Sequence, residues 1–150
     1  MIASAANNAE SDWRFGRTTG VLDASVASKW FIPEQSTVDS EALLRQITTS
    51  NPHIVVPEIF FAEVVSAVGK QCRNGSTLER CAESLARLPL EQVCWVSVPV
   101  RRCVELIQSR VGAYDAIYAA LAIERRLPLL TADARLARAL GEPDWVVLLR

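Results

Sequence analysis

The chain has 150 residues, half of them apolar and 22% charged, which is the composition of one folded domain with a single core. Its 16 basic and 17 acidic residues leave a formal charge of -1, so no strongly basic balance advertises nucleic acid. No apolar run reaches the ~18 residues of a membrane span, because Glu58 and Glu63 interrupt the longest candidate, Ile54 to Val68.

Residues 1–19 are rich in small and polar side chains and read as a loosely ordered extension ahead of a domain over 20–150. This leading stretch lacks the apolar core of a secretory signal. Cys72, Cys81, Cys94 and Cys103 form no C-x-x-C pair, and the one histidine, His53, is remote from them in sequence. That pattern argues against zinc and for reduced thiols filling the core of a cytoplasmic protein.

From Gly20 the chain alternates short apolar runs with helical ones. Gly20 to Leu22 is predicted as a buried strand, followed by a helix over Ser25 to Phe31 that Pro33 stops. Thr37 to Ile47 has the spacing of an amphipathic helix, and Ile54 to Val56 is a strand ended by Pro57. Glu58 opens a helix running to about Cys72, with Asn74-Gly75 as its stop signal. Ser76 or Thr77 then caps a helix to Leu88. Val93 to Val98 is a predicted strand and Val100 to Gln108 a helix. Tyr114 to Arg125 (helix), Pro128 to Thr131 (strand), Ala134 to Leu140 (helix) and Val146 to Leu149 (strand) complete the order. Strands separated by helices imply an α/β fold, a three-layer α/β/α sandwich around a mainly parallel sheet.

Ligand sites in open α/β sheets lie beyond the carboxyl ends of the strands. Asp23, Asp115 and Asp133 fall at strand-to-helix junctions or helix starts, where aspartate is also a favoured helix cap. Glu63 is the only polar residue between Ile59 and Val65, on a helical stripe with Ile59 and Ala67. A carboxylate there must be paired, protonated or bound to a cation. An arginine from elsewhere would satisfy it, and so would convergence with the other acids around a hard cation. A cluster of oxygen ligands suits Mg²⁺ or Mn²⁺ and phosphoryl chemistry. In that case the helix starts under Asp115 and Asp133 would help both stay ionised.

Val21-Leu22-Asp23-Ala24-Ser25, Pro57-Glu58 with Ala62-Glu63-Val64, Tyr114-Asp115-Ala116-Ile117-Tyr118 and Leu130-Thr131-Ala132-Asp133-Ala134-Arg135 occur in this order. Together with Lys29-Trp30-Phe31-Ile32-Pro33-Glu34, they closely resemble the PIN-domain ribonucleases, in particular the VapC toxins of type II toxin-antitoxin pairs. The resemblance implies a PIN-like fold over about residues 20 to 150. It also implies an acidic site of Asp23, Glu63, Asp115 and Asp133 holding Mg²⁺ or Mn²⁺, with Ser25 and Thr131 beside it. The implied activity is cleavage of single-stranded regions of a structured RNA, leaving a 3'-hydroxyl and a 5'-phosphate. A VapB-like antitoxin would silence it, and a homodimer would pair with antitoxin in a larger hetero-oligomer. Two positions depart from the pattern, Ser66 where many relatives carry Asn and Ala119 where some carry a further acid.

Outside the four acids the chain has a balance of +3, and Lys70, Arg73 and Arg80, or Arg125 and Arg126, are candidates to flank an RNA path. Two other readings share these residues: an RNA-processing or repair nuclease without an antitoxin, and a degenerate module whose acids are only caps.

Overall fold

Short runs of β-branched and leucine residues with no polar interruption form strands only where both faces of a sheet are covered. Val21, Leu22, Ile54, Val55, Val56, Leu129 and Leu130 meet that condition, each at most 1% exposed. The computed structural model describes residues 18–150. The strands in these residues are β1 (Thr19–Leu22), β2 (His53–Pro57), β3 (Leu90–Val93), β4 (Leu129–Thr131) and β5 (Val146–Leu148). They form one sheet in the order β3-β2-β1-β4-β5 with every pair parallel.

The crossovers carry α1 (Ala24–Ala27), α2 (Val38–Ser50), α3 (Ile59–Gln71), α4 (Gly75–Ala86), α5 (Val100–Gln108), α6 (Ala113–Arg125) and α7 (Ala134–Ala139). Right-handed connections put α1 to α4 on one face and α5 to α7 on the other. The result is the three-layer sandwich that the strand and helix order implies. Ala116 to Ala122 of α6 are all buried, and the helix packs on β1, β2 and β4. Its small residues let it lie close to the sheet. Gly20 of β1 instead makes room for the neighbouring β4 segment, since a Cβ there would stand 2.9 Å from Leu130 Cγ and 3.0 Å from the Pro128 carbonyl oxygen. No helix among the described residues is long and apolar enough to cross a membrane.

Several local expectations need correction. The expected extension lies outside the described residues except for Thr18, which is buried, and Thr19, which begins β1. The helix after Asp23 has one α turn and continues as a 3-10 turn, Ser28–Trp30. Thr37 is the cap of α2, not its first residue, in a reciprocal capping box with Ser40. Asn74-Gly75 does not stop α3, which ends at Gln71. Asn74 instead caps α4 by accepting from the Ser76 N–H, a role its short amide serves as readily as a left-handed stop.

The third strand lies upstream of its predicted place. At the sheet edge, β3 pairs only with β2, so Glu91 and Gln92 can point to water. The apolar Trp95-Val96 falls in the following 3-10 turn. Cys81 and Cys103 are core residues as expected, but Cys94 is exposed.

The α5 helix buries Cys103 and presents Val100, Val104 and Ile107 outward, half-exposed at helical spacing. With Trp95 and Val96 they hold five of the seven exposed large apolar side chains among the described residues. Singly exposed apolar residues are ordinary, but a stripe of them marks a contact surface.

Candidate active site

Strand order reverses between β1 and β4, since β2 and β3 extend the sheet to one side and β5 to the other. The strand ends at such a switch point leave a crevice, because the connections depart in opposite directions. Asp23 follows β1 there and Asp133 follows β4, while Glu63 of α3 and Asp115 in the first turn of α6 close over them. All four acids line one open cavity of about 570 Å³, with Ser25, Ser66 and Lys70.

Asp23 is 5% exposed. Its Oδ2 accepts from Ser25 Oγ at 2.5 Å and from Thr131 Oγ1 at 2.7 Å. Ser25 Oγ in turn accepts from the Ala132 N–H at 2.9 Å, and Thr131 Oγ1 from the Asp133 N–H at 3.0 Å. Two hydroxyls thus tie the ends of β1 and β4 together through one carboxylate. Asp23 occupies the helix-cap position, but its side chain caps nothing. Burial drives its pKa up; the hydroxyls oppose this and the charge of Asp133 adds to it.

Glu63 has no arginine partner among the described residues. Its Oε2 accepts from the Tyr118 hydroxyl at 2.5 Å, and its other oxygen takes no hydrogen bond from them. Burial raises the Glu63 pKa, Tyr118 opposes the rise, and the charges of Asp23 and Asp115 add to it. Tyr118 is itself 1% exposed, and burial pushes its phenol far above the ordinary value, so its hydroxyl keeps the proton that it donates to Glu63.

Asp115 is not a cap, because Gly112 holds that position. Burial raises its pKa too, and the charges of Asp23 and Asp133 reinforce the shift over the opposing Arg135. The Asp115 carboxylate lies where a Cβ on Gly112 would come within 2.8 Å of Oδ2.

Asp133 alone behaves as a cap, with Oδ1 accepting from the N–H groups of Arg135 and Leu136 at 2.7 and 3.2 Å. Burial would raise its pKa, but these amides and the Arg135 guanidinium, 3.5 Å from Oδ2, together hold it below the usual range.

The basic residues divide. Lys70 lines the cavity, whereas Arg73 and Arg80 are exposed and do not. Arg125 pairs with Glu91, itself bound to His53, at the strand-start edge of the sheet, and Arg126 ends α6 beside it. These two are thus at the edge opposite the acids. Tyr118, Gly112 and Arg135 also shape the site, although no role is predicted for them from sequence. Tyr118 carries a readable signal, since it follows Asp115 by one helical turn; the other two carry none.

Repulsion among the carboxylates, with few donors facing them, is a donor set chemically suited to a hard cation. Among the described residues no three acid, cysteine or histidine side chains form a ready-made metal cage. A cation held here in part through water, as Mg²⁺ commonly is, fits both facts.

The model of the PIN domain family matches residues 20–141. Ribonuclease VapC1 of Mycobacterium tuberculosis, in strains CDC 1551 / Oshkosh and ATCC 25618 / H37Rv, is 30% identical over 123 residues, covering 77% of this chain and 85% of the relative. A chain from a toxin-antitoxin complex of Klebsiella pneumoniae has the same fold, with a TM-score of 0.63 at 18% identity over 86% of this chain and 96% of that one. The chain belongs to the PIN-domain family and, within it, to the VapC ribonucleases.

Carboxyls whose pKa rises on folding bind protons more tightly in the folded chain, so ionising them weakens the fold. In chelator, stability is therefore expected to fall as pH rises from the ordinary carboxylate range through the raised values of Asp23, Glu63 and Asp115. Asp115→Asn flattens that slope and raises the melting temperature at neutral pH, by about 2–4 °C for each kcal/mol of repulsion relieved. Thermal melts across pH with both proteins check this.

Proposed function

We propose that the protein is a divalent-metal-dependent endoribonuclease and the toxin of a toxin-antitoxin pair, cutting single-stranded regions of a structured RNA. The observation that carries this reading is the convergence of Asp23, Glu63, Asp115 and Asp133 on one cavity at the sheet's switch point, three of them with raised pKa. These four acids are the proposed holders of Mg²⁺ or Mn²⁺. When bound, that ion supplies Lewis acidity and a water acidic enough to act as nucleophile at neutral pH.

The chain's own residues supply position and charge. Ser25 and Thr131 fix the Asp23 carboxylate by donating to one oxygen. Tyr118 fixes Glu63 in the same way. Asp133, half-committed to capping α7, is the least available of the four. In the hydrolysis, the oxygen of water bonds to phosphorus, the bond to the 3'-oxygen breaks, and that oxygen takes a proton. The products are a 3'-hydroxyl and a 5'-phosphate.

Support for a protein partner comes from the fold match to a chain described as part of a toxin-antitoxin complex, and from the 30% identity to Ribonuclease VapC1. A VapB-like antitoxin is the proposed inhibitor, and the cytoplasm the proposed location. A homodimer is the proposed assembly, with the α5 stripe of Val100, Val104 and Ile107 as its face.

Purified protein incubated with total cellular RNA is expected to make discrete cuts in Mg²⁺ or Mn²⁺ and none in chelator. Asp115→Asn should reduce cutting at least ~100-fold, as expected for loss of a Lewis-acid site worth several kcal/mol. Full cutting by Asp115→Asn, or cutting in chelator, would sink the reading.

Gly112→Ala should displace the Asp115 carboxylate and lower activity about 10–100-fold, the usual effect of disturbing a ligand's support. Its φ of -59° suits alanine, so stability should change by only about 1 kcal/mol. A crystal structure of the variant shows whether the carboxylate has moved. Val104→Glu should convert a dimer to a monomer in sedimentation; an unaltered dimer would exclude α5 as the face.

A further inference from the structure

Beside the acid cavity lies a second, smaller notch of about 340 Å³, which shares Ser25, Ser28 and Asp133 with it. Its other walls include Lys29, Gln35 and Arg135. The two hollows are therefore one continuous surface, acidic at the switch point and basic beyond it. Building on the ribonuclease reading above, we propose that this notch is a binding subsite for a non-scissile phosphate of the RNA strand, recognised by Lys29 and Arg135.

Both cations are held loosely at the rim of the notch. Lys29 Nζ donates to the Gln35 carbonyl oxygen at 3.3 Å, which ties the ammonium to the rim. A carbonyl takes one of its three donors and none of its charge. No carboxylate among the described residues forms an ion pair with it. Four of the surface arginines, Arg45, Arg87, Arg101 and Arg102, instead each pair with a glutamate within one turn of their own helix. Those pairs are what a solvated helix face ordinarily carries, and Lys29 is an exception to them.

Arg135 reaches only Asp133, at 3.5 Å, with its side chain 87% exposed. So loose a pair is worth little and yields readily to a stronger anion. A planar guanidinium can accept a phosphate on two donors at once.

Position distinguishes this from general surface charge. A polyanionic strand lying across four acids needs cations where it enters and leaves. Lys70 stands in the acid cavity itself, and Lys29 with Arg135 beyond Ser25 and Asp133. The three together define a path for the backbone, and since phosphates carry no sequence information, the notch sets register rather than sequence preference.

The test measures binding of a labelled single-stranded RNA oligonucleotide in Mg²⁺ by fluorescence anisotropy, with the full chain carrying Asp115→Asn. Adding Lys29→Ala should weaken binding about tenfold, the worth of one charge-assisted hydrogen bond, and equally for unrelated sequences. The slope of log affinity against log salt should shrink by ~0.7, the value for one fewer phosphate neutralised on a single strand. Lys29→Arg should keep both, Lys29→Gln should repeat the loss if the alanine variant folds poorly, and Arg45→Ala should change neither.

Unchanged affinity in Lys29→Ala overturns the subsite. So does weaker binding with an unchanged salt slope, or an equal loss in Lys29→Arg or Arg45→Ala. Failure of the parent chain to cut RNA in metal would instead count against the ribonuclease reading, so the two failures are distinguishable.

Discussion

Asp23 places a carboxylate in the interior at the point where β1 and β4 part, and the hydroxyls of Ser25, just after β1, and Thr131, the last residue of β4, hold it there. A buried charge without partners would unfold so small a domain or be neutralised. Here it is partly satisfied: two donors fix its position, yet burial still keeps its pKa raised. The remaining deficit is what a cation would fill. The same bonds join the two central strands at the end where the helices diverge, so the geometry of the site and of the sheet's centre are one constraint.

The other three acids are arranged around that buried carboxylate and differ in the direction of their pKa shifts. Glu63 and Asp115 are raised chiefly by burial and then by their neighbours' charges, while Asp133 is lowered by its capping amides and Arg135. Four carboxylates in one cavity are therefore not four equivalent ligands. The open, water-accessible arrangement, with no closed cage among the described residues, suits an ion that keeps part of its hydration and exchanges water for phosphate oxygen.

Around this centre the surface has separate territories. Lys70 lines the acid cavity and Lys29 with Arg135 the notch beside it, an apolar stripe lies along α5, and the His53-Glu91-Arg125 cluster sits at the opposite edge of the sheet. On the proposed reading, nucleic acid and a second chain would meet different faces. An overall charge of -1 conceals this division, because acids concentrated at the site cancel bases spread beside it.

The order of strands and helices was legible in the sequence because apolar runs and helical stripes are local patterns. The four acids were legible because their flanking residues resemble one family's motifs. The β3 register was not: an edge strand buries only part of its surface, so Leu90 to Val93 carries a weaker pattern than Trp95-Val96, which lies in a turn. The capping role of Asn74 was equally hidden, since one amide can end a helix or begin one. Which acid caps and which does not, that Tyr118 and not an arginine meets Glu63, and that Gly112 leaves room for Asp115 all depend on contacts between residues distant in sequence or on one side-chain rotamer. The sequence by itself determined the fold class and the identity of the acids. Only the tertiary structure decided their hydrogen bonds and the direction of their pKa shifts, because contacts, burial and neighbouring charge come into being when the strands and helices pack together.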